Sequence, residues 1–187
     1  MAGILFFAAA LCMCPAPGLL LLAILIHESG HLLCALFLDW QRPDIRFSPA
    51  GIVLQYQGMH LWWQEVLVCM AGPAANLLTG GICFLCMGGR ITAESIFLCK
   101  TLLFYSIGLA VVNLLPVQGM DGGGILRGVC SRLVFPDRAY QICRAGSILS
   151  VLFLWIINLY VQMKIGFNLS LLAVSLYLTV TVLPRSA

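Results

Sequence analysis

The chain has 187 residues, of which 61% are hydrophobic and 9% charged, with a formal net charge of +3; its mean hydropathy is +1.02. That balance excludes a soluble globular domain and argues against nucleic-acid binding, leaving a polytopic membrane protein. The length allows about five or six spans of roughly 20 residues and no soluble appendage of domain size.

Residues 2–14 are uniformly apolar and end at Pro15-Ala16-Pro17-Gly18. At about 1.5 Å per residue this run falls short of a ~30 Å hydrocarbon core, and no basic segment precedes it as in a signal peptide, so a short or tilted first helix is expected. The second run, 19–38, is long enough to span and closes at Asp39-Trp40, where a Trp suits the membrane interface.

Near its middle this run carries His27-Glu28-Ser29-Gly30-His31. Residues four apart lie on one helix face, so both imidazoles can address one metal ion, and Glu28 beside the first ligand can act on a water there. Three ionisable side chains within five residues are costly at membrane depth and mark function by default. The pentad therefore reads as the core of a metal-dependent hydrolase set in a membrane.

Residues 41–60 form the first polar stretch. Pro43, Pro49, Gly51 and Gly58 bracket β-rich sequence, which predicts a short strand or hairpin near the active site. Such a strand can pair with an unwound substrate segment, or serve as an ordinary connection. His60 precedes Trp62-Trp63 and reads as an interfacial histidine rather than a third ligand. The third run, 61–87, contains Ala71-Gly72-Pro73-Ala74-Ala75-Asn76. Small residues allow close helix approach and Pro73 frees a backbone carbonyl. Asn76 reads either as a polar contact between helices or as a group turned to substrate or a developing oxyanion.

The fourth run, 95–115, ends in Asn113-Leu114-Leu115-Pro116, followed by Val117-Gln118-Gly119-Met120-Asp121-Gly122-Gly123-Gly124. The glycines predict irregular backbone, with Asp121 presented from a non-helical segment. Alone, Asp-Gly is a surface turn; beside an unfinished two-histidine site, the carboxylate is a candidate ligand. Residues 125–147 carry Arg127, Arg132, Arg138 and Arg144 against Asp137, and spans are expected at 148–162 and 167–183. With six spans and cytoplasmic termini, Arg42, Arg46, Arg127, Arg132, Arg138, Arg144 and Arg185 share the cytoplasmic side while Arg90 and Lys164 lie opposite, as the positive-inside rule prefers. The nine cysteines are irregularly spaced and mostly apolar in setting, so neither a disulfide scaffold nor chemistry at Cys83-x-x-Cys86 is expected. No internal repeat suggests an inverted-repeat transporter.

Three ordered motifs, H-E-S-G-H at 27–31, A-G-P-A-A-N at 71–76 and N-L-L-P-x-x-x-M-D-G-G at 113–123, resemble the site-2 proteases, most closely the branch of the stage IV sporulation protein FB type. The resemblance covers residues 19 to 130 and implies an intramembrane zinc metalloprotease. It implies His27, His31 and Asp121 as ligands of one Zn2+, Glu28 as general base, and Asn76, Asn113 and Pro116 near the substrate path. It further implies a bacterial cytoplasmic membrane setting, a membrane-associated protein substrate such as a pro-sigma factor, and regulatory membrane-protein partners. The expected architecture is all-α, about six transmembrane helices with the short hairpin, in one membrane-embedded domain over 1–187. The core is placed at about 19–130 and the C-terminal helices at about 148–183. The CBS domain common in that branch is not expected, nor is a PDZ domain, and Met120 and Gln118-Gly119 depart from the usual final motif. The competing reading is a metal-binding membrane protein without hydrolytic activity, an ion carrier or an inactive chaperone-like homologue. Intact Glu28, His27, His31 and Asp121 argue against it.

Overall fold

The computed structural model describes residues 16–38, 44–48, 51–55, 61–89, 92–164, 166 and 169–182. The apolar run at 2–14, Trp40, His60, Arg42, Arg90 and Arg185 lie outside them. The elements in order are α1 (Pro17–Phe37), β1 (Asp44–Ser48), β2 (Gly51–Gln55), α2 (Trp62–Met87), α3 (Ala93–Asn113), α4 (Asp121–Leu133), α5 (Pro136–Lys164) and α6 (Leu169–Val182). The strands pair antiparallel, with Asp44 opposite Gln55 and Ser48 opposite Gly51.

Among the described residues, α1, α2, α3 and α5 are long and apolar enough to cross a membrane. Helix α6 is shorter, at 14 residues. Against the expected six spans, these are four of spanning length plus one short helix; the run assigned to the first span is outside the described residues. Broad lipid-type surface is on view: Leu25, Leu33, Phe37, Leu78, Phe84, Leu85 and Phe104 are all more than half exposed. In lipid such surface is no liability, because acyl chains are as apolar as leucine.

The chain divides into two compact units, Met1–Val112 and Asn113–Ala187. In the first, α1 packs along α2. The buried residues of α1 are Ala23, His27, His31 and Ala35, one stripe at four-residue spacing. Those of α2 are Val68, Gly72, Pro73, Asn76, Gly80 and Cys83. Without a hydrophobic drive between helices in lipid, small side chains on both stripes let the backbones close up and gain dispersion contacts. Pro17 starts α1 at its first turn, where a missing N–H costs nothing. The Gln64 side-chain oxygen accepts from Leu61 N–H at 3.1 Å where α2 begins. Helix α3 buries Tyr105, Ser106 and Ala110.

The second unit is built on α5, which packs against α4 and α6. Val117, Val151, Leu154 and Leu178 form its core, with Leu115, Met120 and Trp155 around them. Trp155 Nε1–H donates to Thr179 Oγ1 at 2.9 Å, joining α5 to α6. Two boundaries differ from the sequence reading. Asp121 is not on irregular backbone but is the first helical residue of α4, after Met120 as N-cap. The three glycines are weak helix formers, yet side chains there would not fit: a Cβ on Gly122 would strike the Leu114 carbonyl, and one on Gly123 the Val117 carbonyl. Packing overrides propensity here. Helix α5 also starts 12 residues before the expected span, because its arginine-bearing N-terminal turns are helical but not apolar.

Candidate metal centre

The stripe on α1 places His27 and His31 four residues apart, one turn above the other, in the α1–α2 seam. Both are buried, at 4% and 9% exposure. Their Nε2 atoms lie 3.2 Å apart, and the rings meet nearly at right angles, 82° between planes. Two nitrogens bound tetrahedrally at the usual zinc distance sit about 3.3 Å from each other. The pair therefore already has the bite that a small divalent cation requires.

What sets this geometry is the facing wall of α2. His31 Nδ1 lies 2.7 Å from the Val68 carbonyl oxygen. A carbonyl only accepts, so a proton is on Nδ1, and in the neutral imidazole that leaves the lone pair on Nε2. One turn on, Gly72 gives the rings clearance: a Cβ there would collide with His31 Nε2 and come within 2.9 Å of His27 Cε1. One turn further, the Asn76 amide nitrogen lies 3.2 Å from His27 Nδ1. Val68, Gly72 and Asn76 thus serve the two imidazoles from one face of α2, at the same four-residue spacing as the histidines themselves. Pro73, beside them, is buried within α2 and has no N–H to give to the preceding turn.

Glu28 follows His27 on α1 and is half-buried. Ser29 is exposed and its hydroxyl donates to the Ile26 carbonyl at 2.7 Å, closing on its own helix.

The second unit holds Asp121, Asn113 and Pro116. The backbone before Asp121 is tied down twice. Val117 is fully buried in the core of this unit. Ser147 of α5, 1% exposed, accepts from Gln118 N–H at 3.0 Å and donates toward the carbonyls of Cys143 at 2.8 Å and Pro116 at 3.3 Å. A turn closed by Met120 N–H to the Val117 carbonyl, 3.0 Å, leads into α4. Asp121 therefore begins a helix, where its negative charge meets the positive end of the dipole, on a segment with little freedom to shift.

Of the residues singled out in the sequence, the first unit brings together His27, His31 and Asn76. Asn76 is fully buried and meets His27 across the two helices. Sequence reasoning missed the Val68 carbonyl, which no side chain advertises. It also missed Ser147, whose signal was a hydroxyl inside an apolar helix.

Residues 86–155 match the family described as Peptidase family M50. The chain is 27% identical over 163 residues to stage IV sporulation protein FB of Bacillus subtilis (strain 168), a match covering 84% of this chain and 56% of that protein. It thus spans about half the length of that curated relative. The fold is similar to that of the site-2 protease from Methanocaldococcus jannaschii, with a TM-score of 0.70 at 24% identity, covering 97% of this chain and 86% of the other.

Proposed function

We propose that the chain is a peptidase of family M50, the site-2 protease family, supported by the family match over residues 86–155 and the likeness to stage IV sporulation protein FB, and that it acts as an intramembrane zinc metalloendopeptidase. Its substrates would be membrane-associated proteins cut within or beside a transmembrane segment. The observation that carries this reading is the pair of buried Nε2 atoms 3.2 Å apart, with Glu28 next in sequence to the first of them.

In this reading His27 and His31 supply two ligands and Asp121 the third, which leaves a fourth position open as catalytic zinc sites require. A zinc ion held there would lower the pKa of a water and polarise the scissile carbonyl. Glu28 takes the proton from the attacking water and hands it to the leaving amine. The bond from His31 Nδ1–H to the Val68 carbonyl directs Nε2 of that ring toward the metal position. The apolar helices keep bulk water from the seam, which strengthens each electrostatic contact inside it.

Asn113 and Pro116, before Asp121, would line the substrate path. The β1–β2 hairpin would offer an edge to a substrate drawn out of its helix, since a helical carbonyl is already bonded and shielded. The arginine asymmetry supports cytoplasmic termini in a bacterial cytoplasmic membrane. A membrane-tethered regulator, a pro-sigma factor among them, fits the sporulation role in the name of the relative, and regulatory membrane-protein partners would set when it is cut.

The test is cleavage of a membrane-tethered reporter by the purified full chain in lipid vesicles. Cleavage should stop with a zinc chelator and return on adding Zn2+. Cleavage indifferent to chelation would refute the metal mechanism, and zinc-replete protein inert toward reporter and membrane-extracted substrates alike would favour the non-proteolytic metal-binding reading.

A further inference from the structure

Asn76 occupies a position that the reaction does not use directly. Its side chain is fully buried, its amide nitrogen faces His27 Nδ1 at 3.2 Å, and its Oδ1 is buried with no hydrogen-bond partner among the described residues. A carboxamide is nearly symmetric in shape, so nitrogen and oxygen exchange places by a half-turn about one bond.

The two orientations do opposite things to the histidine pair. His31 is already fixed: its proton sits on Nδ1, against Val68, and its Nε2 offers a lone pair. If Asn76 donates N–H to His27 Nδ1, then the His27 proton must sit on Nε2. It then fills the 3.2 Å gap as an N–H···N bond to His31, and a cation is shut out. If Asn76 presents Oδ1 instead, His27 carries its proton on Nδ1 and both Nε2 lone pairs converge on one point. Two lone pairs at that separation repel unless a cation lies between them. The orphaned Oδ1 gains a donor in the same movement.

Resting on the metalloprotease reading above, we infer that Asn76 is a positioning residue that selects the metal-binding tautomer of His27 through its amide oxygen. Losing the acceptor behind a ligating histidine typically costs about 10–100-fold in metal affinity. One face of α2 thereby aligns both histidines: the Val68 carbonyl for His31, Gly72 for clearance and the Asn76 amide for His27.

The experiment is a zinc competition titration, against a chromogenic chelator, of the full chain in detergent as wild type, Asn76→Leu, Asn76→Ala and Asn76→Asp. Leu keeps the volume without an acceptor, Ala removes both, and Asp keeps only acceptors. Leu and Ala should bind Zn2+ 10–100-fold more weakly, while Asp should be restored to wild-type affinity or better. Helical content of the metal-free proteins identifies any variant that has not folded, and the other apolar variant then carries the comparison. Wild-type affinity in the Leu or Ala variant would overturn the assignment, as would an Asp variant no better than Leu. A wild type that binds no Zn2+ would instead refute the metal centre itself, so the two failures are distinguishable.

Discussion

At the scale of single residues, the histidine pair is shaped as much by what is missing opposite it as by what it contacts. Gly72 has no side chain where the edge of His31 and the Cε1 of His27 sit. Gly72→Ala should push both rings off their 3.2 Å spacing and lower zinc affinity by at least 10-fold, while circular dichroism still reports a helical protein. Gly81→Ala is the matched control, because a Cβ there meets nothing within 4 Å; it should bind zinc as wild type does. Equal loss in both variants would mean that helix perturbation, not ring displacement, is responsible. The histidines and Glu28 were legible in the sequence, since ionisable groups in an apolar run need a purpose. Asn76 was legible as important and ambiguous in role, because the same amide can serve a helix partner or a substrate. The Val68 carbonyl was not legible at all: a backbone acceptor has no letter of its own, and only the pairing of α1 with α2 reveals it.

At the scale of elements, the α1–α2 seam works because Ala23 and Ala35 flank the histidines with the smallest side chains available to a strong helix former. Ala35 is 2% exposed and Leu36, its neighbour in sequence, is 53% exposed. Ala35→Leu should force the helices apart at a cost of about 1–3 kcal/mol and weaken zinc binding through the misplaced His31. Leu36→Ala, on the lipid side, should leave both unchanged. Thermal unfolding in detergent with zinc titration checks the pair, and a tolerant Ala35→Leu would deny that close approach of the helices builds the site. The long apolar runs gave α1, α2 and α3 to within a few residues, because hydropathy over a span-length window reports the lipid directly. It failed at α4 and at the start of α5. There the helices are held by local packing, by the glycines under the Leu114 and Val117 carbonyls and by Ser147 against the loop. Such contacts leave no periodic hydrophobic signal.

For the molecule as a whole, each unit contributes something the other does not. The first holds two buried imidazole nitrogens 3.2 Å apart, with Glu28 next in sequence to His27. The second holds Asp121 at the head of a short helix, its approach locked by Val117 and Ser147. The order of the motifs in the sequence leads to the proposal that His27, His31 and Asp121 hold one metal ion. The measurement that tests it most directly is zinc content and reporter cleavage, taken together, on purified wild type, Glu28→Gln and Asp121→Ala. Glu28→Gln should retain one zinc per chain and lose cleavage by about 100-fold or more, and Asp121→Ala should lose both metal and activity. Undiminished cleavage by Glu28→Gln, or full zinc occupancy with activity in Asp121→Ala, would contradict the account.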